Sequence, residues 1–408
     1  MAVIRFIFDG VREMFRGPRE YWWWLLGLSL IVVFGAWRYS EQITEGLVVT
    51  GMSDQVSWGF YISNFAFLVG IAAAAVLLVI PAYIFDRKDI KDVVLVGEGM
   101  AVAAVTMAIL FVIADLGRPD RLWHMLPGIG RFHWPVSLLA WDVLVLSVYF
   151  LLNLAIPFYV LYSHYRGKEP NFRLYFPFVV IAMFWAISIH TVTAFLFSAN
   201  PARPFWHTAL LGPRFIASAF ASGPALIIIT LQIVRKVTSY HVSQSVINLL
   251  ALIMTFALQI SLFFVGAELF TDFYNEGAHA ASIHYLFFGL GGFGSLKAWI
   301  WFALALNLTA LVILMIHPLR QKTVMLNIAC VMTFIGIWIE KGMGLVIPGF
   351  VPTPLGEIFE YAPTNVELSV AAGIWAFGVL VFTLLAKVVI AIEQGKLSHP
   401  SEEPRYTL

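Results

Sequence analysis

The chain has 408 residues, of which 60% are hydrophobic and only 12% charged, against roughly 25% charged in soluble globular proteins; a water-soluble enzyme is excluded. Twenty-five Lys and Arg balance 24 Asp and Glu, which leaves no basic field to hold nucleic acid and no acidic tract of the disordered kind. A single cysteine, Cys330, excludes a disulfide framework, a four-cysteine zinc site, a cysteine-ligated iron–sulfur cluster and a CxxCH haem attachment.

Residues 3–16 put Arg5, Asp9, Arg12, Glu13 and Arg16 on one helical face and Ile4, Phe6, Ile7, Phe8, Val11, Met14 and Phe15 elsewhere. That pattern predicts an interfacial helix lying on the inner leaflet rather than a cleaved leader, and Trp22, Trp23 and Trp24 mark the interface after it. A helix needs about 20 apolar residues to cross a hydrocarbon slab of about 30 Å. Ten runs qualify, at 22–38, 58–84, 93–115, 136–162, 173–198, 213–234, 245–267, 295–316, 324–346 and 367–392. Barrel strands would be about 10 residues long and alternating. The predicted fold is an all-α integral membrane protein of ten transmembrane helices. Basic residues crowd the short connections 85–92, 235–244 and 317–323, so the positive-inside rule places both termini in the cytoplasm. The longer loops 115–135, 199–213, 268–294 and 340–366 then lie outside. Pro348, Pro352, Pro354 and Pro363 make the last of these a rigid cover, which we expect to help form a docking floor for a partner.

Spans 2–5 and 6–9 look like two copies of one four-helix unit. Tyr61 and Phe215 open the second and sixth spans at an offset of 154 residues, and Asp115 and Glu268 close the third and seventh at 153. The expected organisation is an interfacial helix over 1–21, a first span and outer loop over 22–57, a first four-helix bundle with a ligand site over 58–198, a second bundle over 199–346, and an outer loop, tenth span and tail over 347–408. Spans 1 and 10 flank the bundles. The first copy has Tyr61 and Asn64 where the second has Phe215 and Ser218, so the first is the better equipped for a polar ligand.

A charge at mid-bilayer costs about 2.5–3.5 kcal/mol on insertion scales, so intramembrane polar residues need a reason. Tyr61 and Asn64 share a helix face at the mouth of span 2, Asp115 ends span 3 with Arg118, Arg121 and His124 following, and Asp142 and His190 lie about two turns inside spans 4 and 5. These groups suit a quinone, whose carbonyls want donors and whose quinol form needs a base; Trp58, Phe60, Phe65 and Trp123 supply rings to sandwich a headgroup. Glu98, Glu268 and Glu340 are candidates for a proton path. Haem b needs two opposed histidines, and of the ten present only His190 lies well inside a span. Plainer roles compete: Asp115 paired with Arg118 or Arg121, His190 as a packing residue, Tyr61 and Trp58 as interfacial anchors.

The run Trp58-Gly-Phe-Tyr61-Ile, then Asp115-Leu-Gly-Arg118-Pro-Asp-Arg121-Leu-Trp123-His124, then Ser137 to Trp141-Asp142, resembles the NrfD/PsrC family of membrane subunits. The stretch from Trp338-Ile-Glu340-Lys341 through Pro348, Pro352 and Pro354 to Glu357 is similar to the DsrP-like branch found in sulfate and sulfur metabolism. The resemblance implies two four-helix bundles in a prokaryotic cytoplasmic membrane and no haem or iron–sulfur cluster in this chain. It also implies menaquinone bound non-covalently near the outer face, with Tyr61, Asp115, Arg118, His124 and Asp142 at the matching positions; Asn64 and His190 are added from depth and helix face. The implied partners are an outer-face ferredoxin-like iron–sulfur subunit, a multihaem cytochrome c, a haem b membrane subunit and a cytoplasmic iron–sulfur subunit. The expected function is electron exchange between menaquinone or menaquinol and the outer-face subunit, with proton translocation as a further possibility. Two other readings are a secondary transporter, which parallel repeats also serve, and a passive membrane anchor for redox partners.

Overall fold

The computed structural model describes residues 2–126, 128–275 and 277–400; the end of the expected tail, 401–408, lies outside the described residues. Among these, ten helices are long and apolar enough to cross a membrane: Arg19–Glu45, Phe60–Ile84, Lys88–Asp115, Leu138–Tyr165, Phe172–Ser198, Leu211–Val237, Gln244–Tyr274, Lys297–Met315, Thr323–Gly349 and Asn365–Glu393, numbered spans 1 to 10. The chain is therefore a nearly all-helical, multi-span integral membrane protein. Several spans overrun their apolar runs, since a helix satisfies its backbone internally and continues past the hydrocarbon edge. Span 1 carries Ser40, Glu41, Gln42 and Thr44, and span 7 runs beyond Glu268.

A further helix, Ala2–Met14, precedes the spans. Its Phe6 ring packs edge-on against Phe158 and Tyr162, the Tyr165 hydroxyl donates to Asp9 at 2.6 Å, and Gly10 faces Val388. Ile4, Phe8 and Phe15 are exposed, an amphipathic arrangement.

Spans 2, 3, 4 and 5 pack as a closed ring, each against the next, and spans 6, 7, 8 and 9 repeat the same adjacency. Span 6 packs on spans 2 and 5 and joins the two rings. Spans 1 and 10 do not flank the rings symmetrically. Span 1 lies along span 10, and span 10 lies on span 3, so both belong to the first ring's side. Gly35 and Gly373 allow that approach: a Cβ on Gly35 would stand 2.6 Å from the Gly373 Cα, the small-residue packing that membrane helices use in place of a hydrophobic drive.

Span 2 is buried over nearly its whole length and is interrupted. The helix Phe60–Ala73 gives way to a turn at residues 74–75, and Ile80–Ile84 is a π-turn in which the Phe85 N–H donates to the Ile80 carbonyl. Pro81 lacks the N–H that would continue the α-helical ladder. Opposite the turn, span 6 has Gly223, where a Cβ would come within 1.9 Å of the Ala74 Cβ.

Candidate functional site

Spans 2, 6 and 10 begin, and spans 3, 5 and 7 end, on one face of the protein, here called the long-loop face. The sequence-predicted residues all lie in that half except Glu98. The seven ligand candidates do not form one cluster; they fall into four groups, apart from the three proton-path acids.

The first group surrounds Tyr61. Its hydroxyl, fully buried, donates to Gln42 Oε1 at 2.7 Å, and Gln42 Nε2 donates to the Ala114 carbonyl at 2.7 Å. Span 1 is thereby tied to spans 2 and 3 beside Asp115, the last residue of span 3. The Asp115 Oδ1 atom is buried and has no hydrogen-bond partner among the described residues. Behind it lies Glu367, which is close enough to act electrostatically on both Asp115 and Tyr61. Glu367 is fully satisfied: Oε1 accepts from the Tyr361 hydroxyl at 2.5 Å, and Oε2 from the N–H groups of Gly51 at 2.7 Å and Thr364 at 2.9 Å. Thr364 and Glu367 form a capping box at the start of span 10. Tyr361 accepts from the Phe60 N–H at 2.8 Å, and burial, then the Glu367 carboxylate, hold its phenol well above the ordinary tyrosine range. Within this shell the Asp115 oxygen is the atom left unsatisfied by the described residues.

The second group is Asn64. Its amide donates to the Phe60 carbonyl at 2.8 Å, while its oxygen accepts both the Trp338 indole at 3.0 Å and the Trp375 indole at 2.9 Å. Asn64 thus fastens span 2 to spans 9 and 10, with its oxygen already occupied. The third group joins spans 4 and 5. Thr193 donates to Asp142 Oδ1 at 2.8 Å, and His190, one turn from Thr193, has Nδ1 at 3.3 Å from the Ala186 carbonyl and a buried Nε2 without a partner among the described residues. Lys341 acts electrostatically on His190. Its ammonium donates to the Phe215 carbonyl at 3.3 Å, lies 4.2 Å from the Phe215 ring centre and rests against Gly70 of span 2. Above this seam Trp58 stacks on Trp206, with Phe197 and Phe350 edge-on, and Trp206 donates to the Leu345 carbonyl at 2.8 Å. Trp58 is therefore part of an aromatic cap between the two rings.

The fourth group, Arg118 and His124, is exposed on the loop after span 3. Arg118 forms a bidentate pair with Asp120, both contacts at 2.9 Å, and not with Asp115. That pair lowers the Asp120 carboxyl below its ordinary value. His124 lies against Trp123, ring centres 3.9 Å apart. In the loop after span 9, Phe350, Val351 and Tyr361 are buried and Leu355 is 87% exposed, so the segment is a cover with a projecting tip.

Two carboxylates of the expected proton path, the buried Glu340 and the partly buried Glu268, lie in the second ring. Arg214 bonds to Glu268 and, at 2.8 Å, to Glu340, which also accepts from Asn307 at 3.3 Å. Glu98 lies in the other half of the first ring, its Oε2 unpartnered among the described residues, lining a small cavity with Tyr149, Asn153, Ala75 and Val79 beside the interruption of span 2. No grouping of three His, Cys, Asp or Glu able to hold a metal occurs among the described residues. Sequence reasoning does not single out Gln42, Glu367, Tyr361, Arg214 or Lys341 for this site. Only the Thr364-x-x-Glu367 capping box carries a local signal.

These features define a ten-span membrane protein in which spans 2–5 and 6–9 share one adjacency, with an acid oxygen at the end of span 3 left unsatisfied by the described residues. Residues 48–352 match the family model described as "Polysulphide reductase, NrfD", and the chain belongs to that family. It is 25% identical over 400 residues to the "Putative dimethyl sulfoxide reductase membrane subunit" of Halobacterium salinarum, covering 88% of each chain. It is 24% identical over 401 residues to the "Hdr-like menaquinol oxidoreductase integral membrane subunit" of Archaeoglobus fulgidus, covering 94% of this chain and 97% of the relative. It is 22% identical over 384 residues to the "Menaquinone reductase, integral membrane subunit" of Nitratidesulfovibrio vulgaris, covering 90% of each.

Proposed function

We propose that this chain is the quinone-interacting membrane subunit of a redox complex, exchanging electrons between menaquinone or menaquinol and an iron–sulfur subunit docked on the long-loop face. The observation that carries this reading is the Asp115 carboxylate, whose buried Oδ1 lacks a donor among the described residues. An apolar membrane interior penalises such an atom, and a quinol hydroxyl is a lipid-soluble donor of the right kind. Two relatives are named for menaquinol or menaquinone, which supports the choice of ligand. The quinone, when bound, supplies a two-electron, two-proton couple.

Asp115 accepts the hydroxyl proton at its free oxygen. Gln42 fixes the Tyr61 hydroxyl, leaving the phenol oxygen available as an acceptor next to Asp115, while Glu367, held by Tyr361 and two backbone N–H groups, keeps a negative charge behind the acid. His124, exposed at the same end of span 3, receives protons at the water, and Arg118, paired with Asp120, holds positive charge beside that exit. His190 and Asp142 form a second polar step deeper in the ring, and Asn64 braces the spans around it. In the other half, Glu98 and its cavity, with room for about one water, serve as a stop on a proton path. The multihaem cytochrome, haem b subunit and cytoplasmic iron–sulfur subunit expected of the DsrP-like branch complete this proposal.

Quinol-linked turnover of the purified complex tests it. Asp115→Asn is expected to lose turnover while the complex still assembles; a variant that assembles and turns over normally removes the site. Glu98→Gln is expected to lower proton release per electron in proteoliposomes, and an unchanged ratio takes Glu98 off the path. The interruption of span 2 favours one rival, a secondary transporter, since such proteins use broken helices at their sites. Solute uptake by the isolated chain in vesicles would support that rival.

A further inference from the structure

The second ring has Phe215 where the first has Tyr61, and Glu268 where the first has Asp115, and its axis is polar. All four spans contribute to one layer: Arg214 from span 6, Glu268 from span 7, Asn307 from span 8 and Glu340 from span 9. Arg214 is shared by the two carboxylates, and the buried Lys341 ammonium acts electrostatically on Glu340, so the layer gathers four ionisable groups in a largely apolar surround. Asn307 Oδ1 is buried and has no partner among the described residues; it occupies the space left by Gly336, where a Cβ would lie 2.2 Å away.

Seven residues before Glu268 and Glu340, and so on the same helix faces, stand Ser261 and Thr333. Both are essentially fully buried, and neither hydroxyl has a partner among the described residues. This departs from the habit of the rest of the chain. Thr106, Ser163, Thr191, Ser222, Thr255 and Thr383 each donate to the carbonyl four residues back, the usual way a helix disposes of a hydroxyl in a membrane. Ser261 and Thr333 lack that bond, two turns below the charged layer on their helices. Deeper still, one turn below Thr333 and two below Ser261, Cys330 and Met254 meet across the axis, sulfur to sulfur at 4.0 Å, and close it with an apolar floor.

We propose that the axis of the second ring holds a short file of bound water between the Glu268–Arg214–Glu340 layer and the Cys330–Met254 floor. Water donates to Asn307 Oδ1, accepts from or donates to the two hydroxyls, and solvates the charged layer above them. A seven-residue separation corresponds to about 10 Å along the helix, so the file carries hydration from near the long-loop face a third of the way across a hydrocarbon slab of about 30 Å. It is blind at the floor. The inference stands on spans 6 to 9 alone and does not depend on the quinone reading.

X-ray radiolytic hydroxyl labelling of the full complex, which oxidises buried sulfur only where bound water is adjacent, tests it. Met254 and Cys330, both fully buried, are expected to be labelled severalfold faster than the comparably buried Met107, and the Ser261→Ala, Thr333→Val double variant is expected to bring them down to the Met107 rate. Labelling of Met254 in the unaltered chain no faster than Met107 overturns the proposal. Thermal unfolding of Thr333→Val gives a second readout: loss of a water-bonded hydroxyl lowers Tm, whereas removal of a hydroxyl with no partner raises it, and a raised Tm would also overturn the proposal.

Discussion

Asp115→Asn changes one atom at the point where the proposed function is most exposed. In the folded chain Oδ1 makes no hydrogen bond to the described residues, and the neighbouring charge is the like-signed Glu367. Exchanging the acid for its neutral amide therefore breaks no hydrogen bond to the described residues and removes any repulsion from Glu367; Tm should stay level or rise slightly. Binding should behave oppositely. A hydrogen bond to a charged acceptor is worth about 1.5–3 kcal/mol, and 1.4 kcal/mol is a factor of ten, so quinol affinity should fall about 10- to 100-fold. The assay is menaquinol-analogue oxidation by the purified complex in nanodiscs, with KM, kcat and Tm measured on the same preparation. Tyr61→Phe is the contrasting control. It strands the buried Gln42 Oε1 that the phenol satisfies, at a cost of about 1–3 kcal/mol, so its Tm should fall. An Asp115→Asn complex with KM and kcat within about twofold of the unaltered one, some 0.4 kcal/mol, would refute the assignment of Asp115 as a headgroup ligand.

Arg214→Met leaves Glu268 and Glu340 facing each other in a buried layer, and breaking such a pair from one side costs about 3–5 kcal/mol; thermal unfolding should show it, with recovery when both acids become Gln. Asn64→Leu deprives the Trp338 and Trp375 indoles of their common acceptor and should destabilise by about 1–3 kcal/mol per stranded N–H, while Asn64→Asp should retain most of the stability. Gly35→Leu would drive a side chain into the Gly373 backbone and should release span 1 from span 10, read as new protease cleavage between them. The raised Tyr361 phenol binds its proton more tightly folded than unfolded. Its contribution to stability should be complete below about pH 10 and decline only above it, a decline that Tyr361→Phe should abolish.

Much of this architecture is legible along the chain. Ten spans follow from apolar run length, because a lipid solvent obliges every crossing segment to close its own backbone hydrogen bonds. The repeat of Tyr61 and Asp115 by Phe215 and Glu268 points to two quartets of helices, and their identical adjacency accords with it. Depth is legible too, since residue count along a helix converts directly to height in the membrane. Direction around each helix is not, because a span that is apolar on all sides gives no periodicity from which to read its facing. So residue counting puts Tyr61, Asn64, Asp142 and His190 at one level, whereas packing turns Tyr61 towards Gln42, Asn64 towards two indoles on spans 9 and 10, and Asp142 towards Thr193. Those partners lie as far as 311 residues away in the chain, and only the closing of the two rings brings them within reach. Which polar atoms finish without a partner, Asp115 Oδ1 and the Ser261 and Thr333 hydroxyls among them, is decided at that last step, because it depends on every neighbour that failed to arrive.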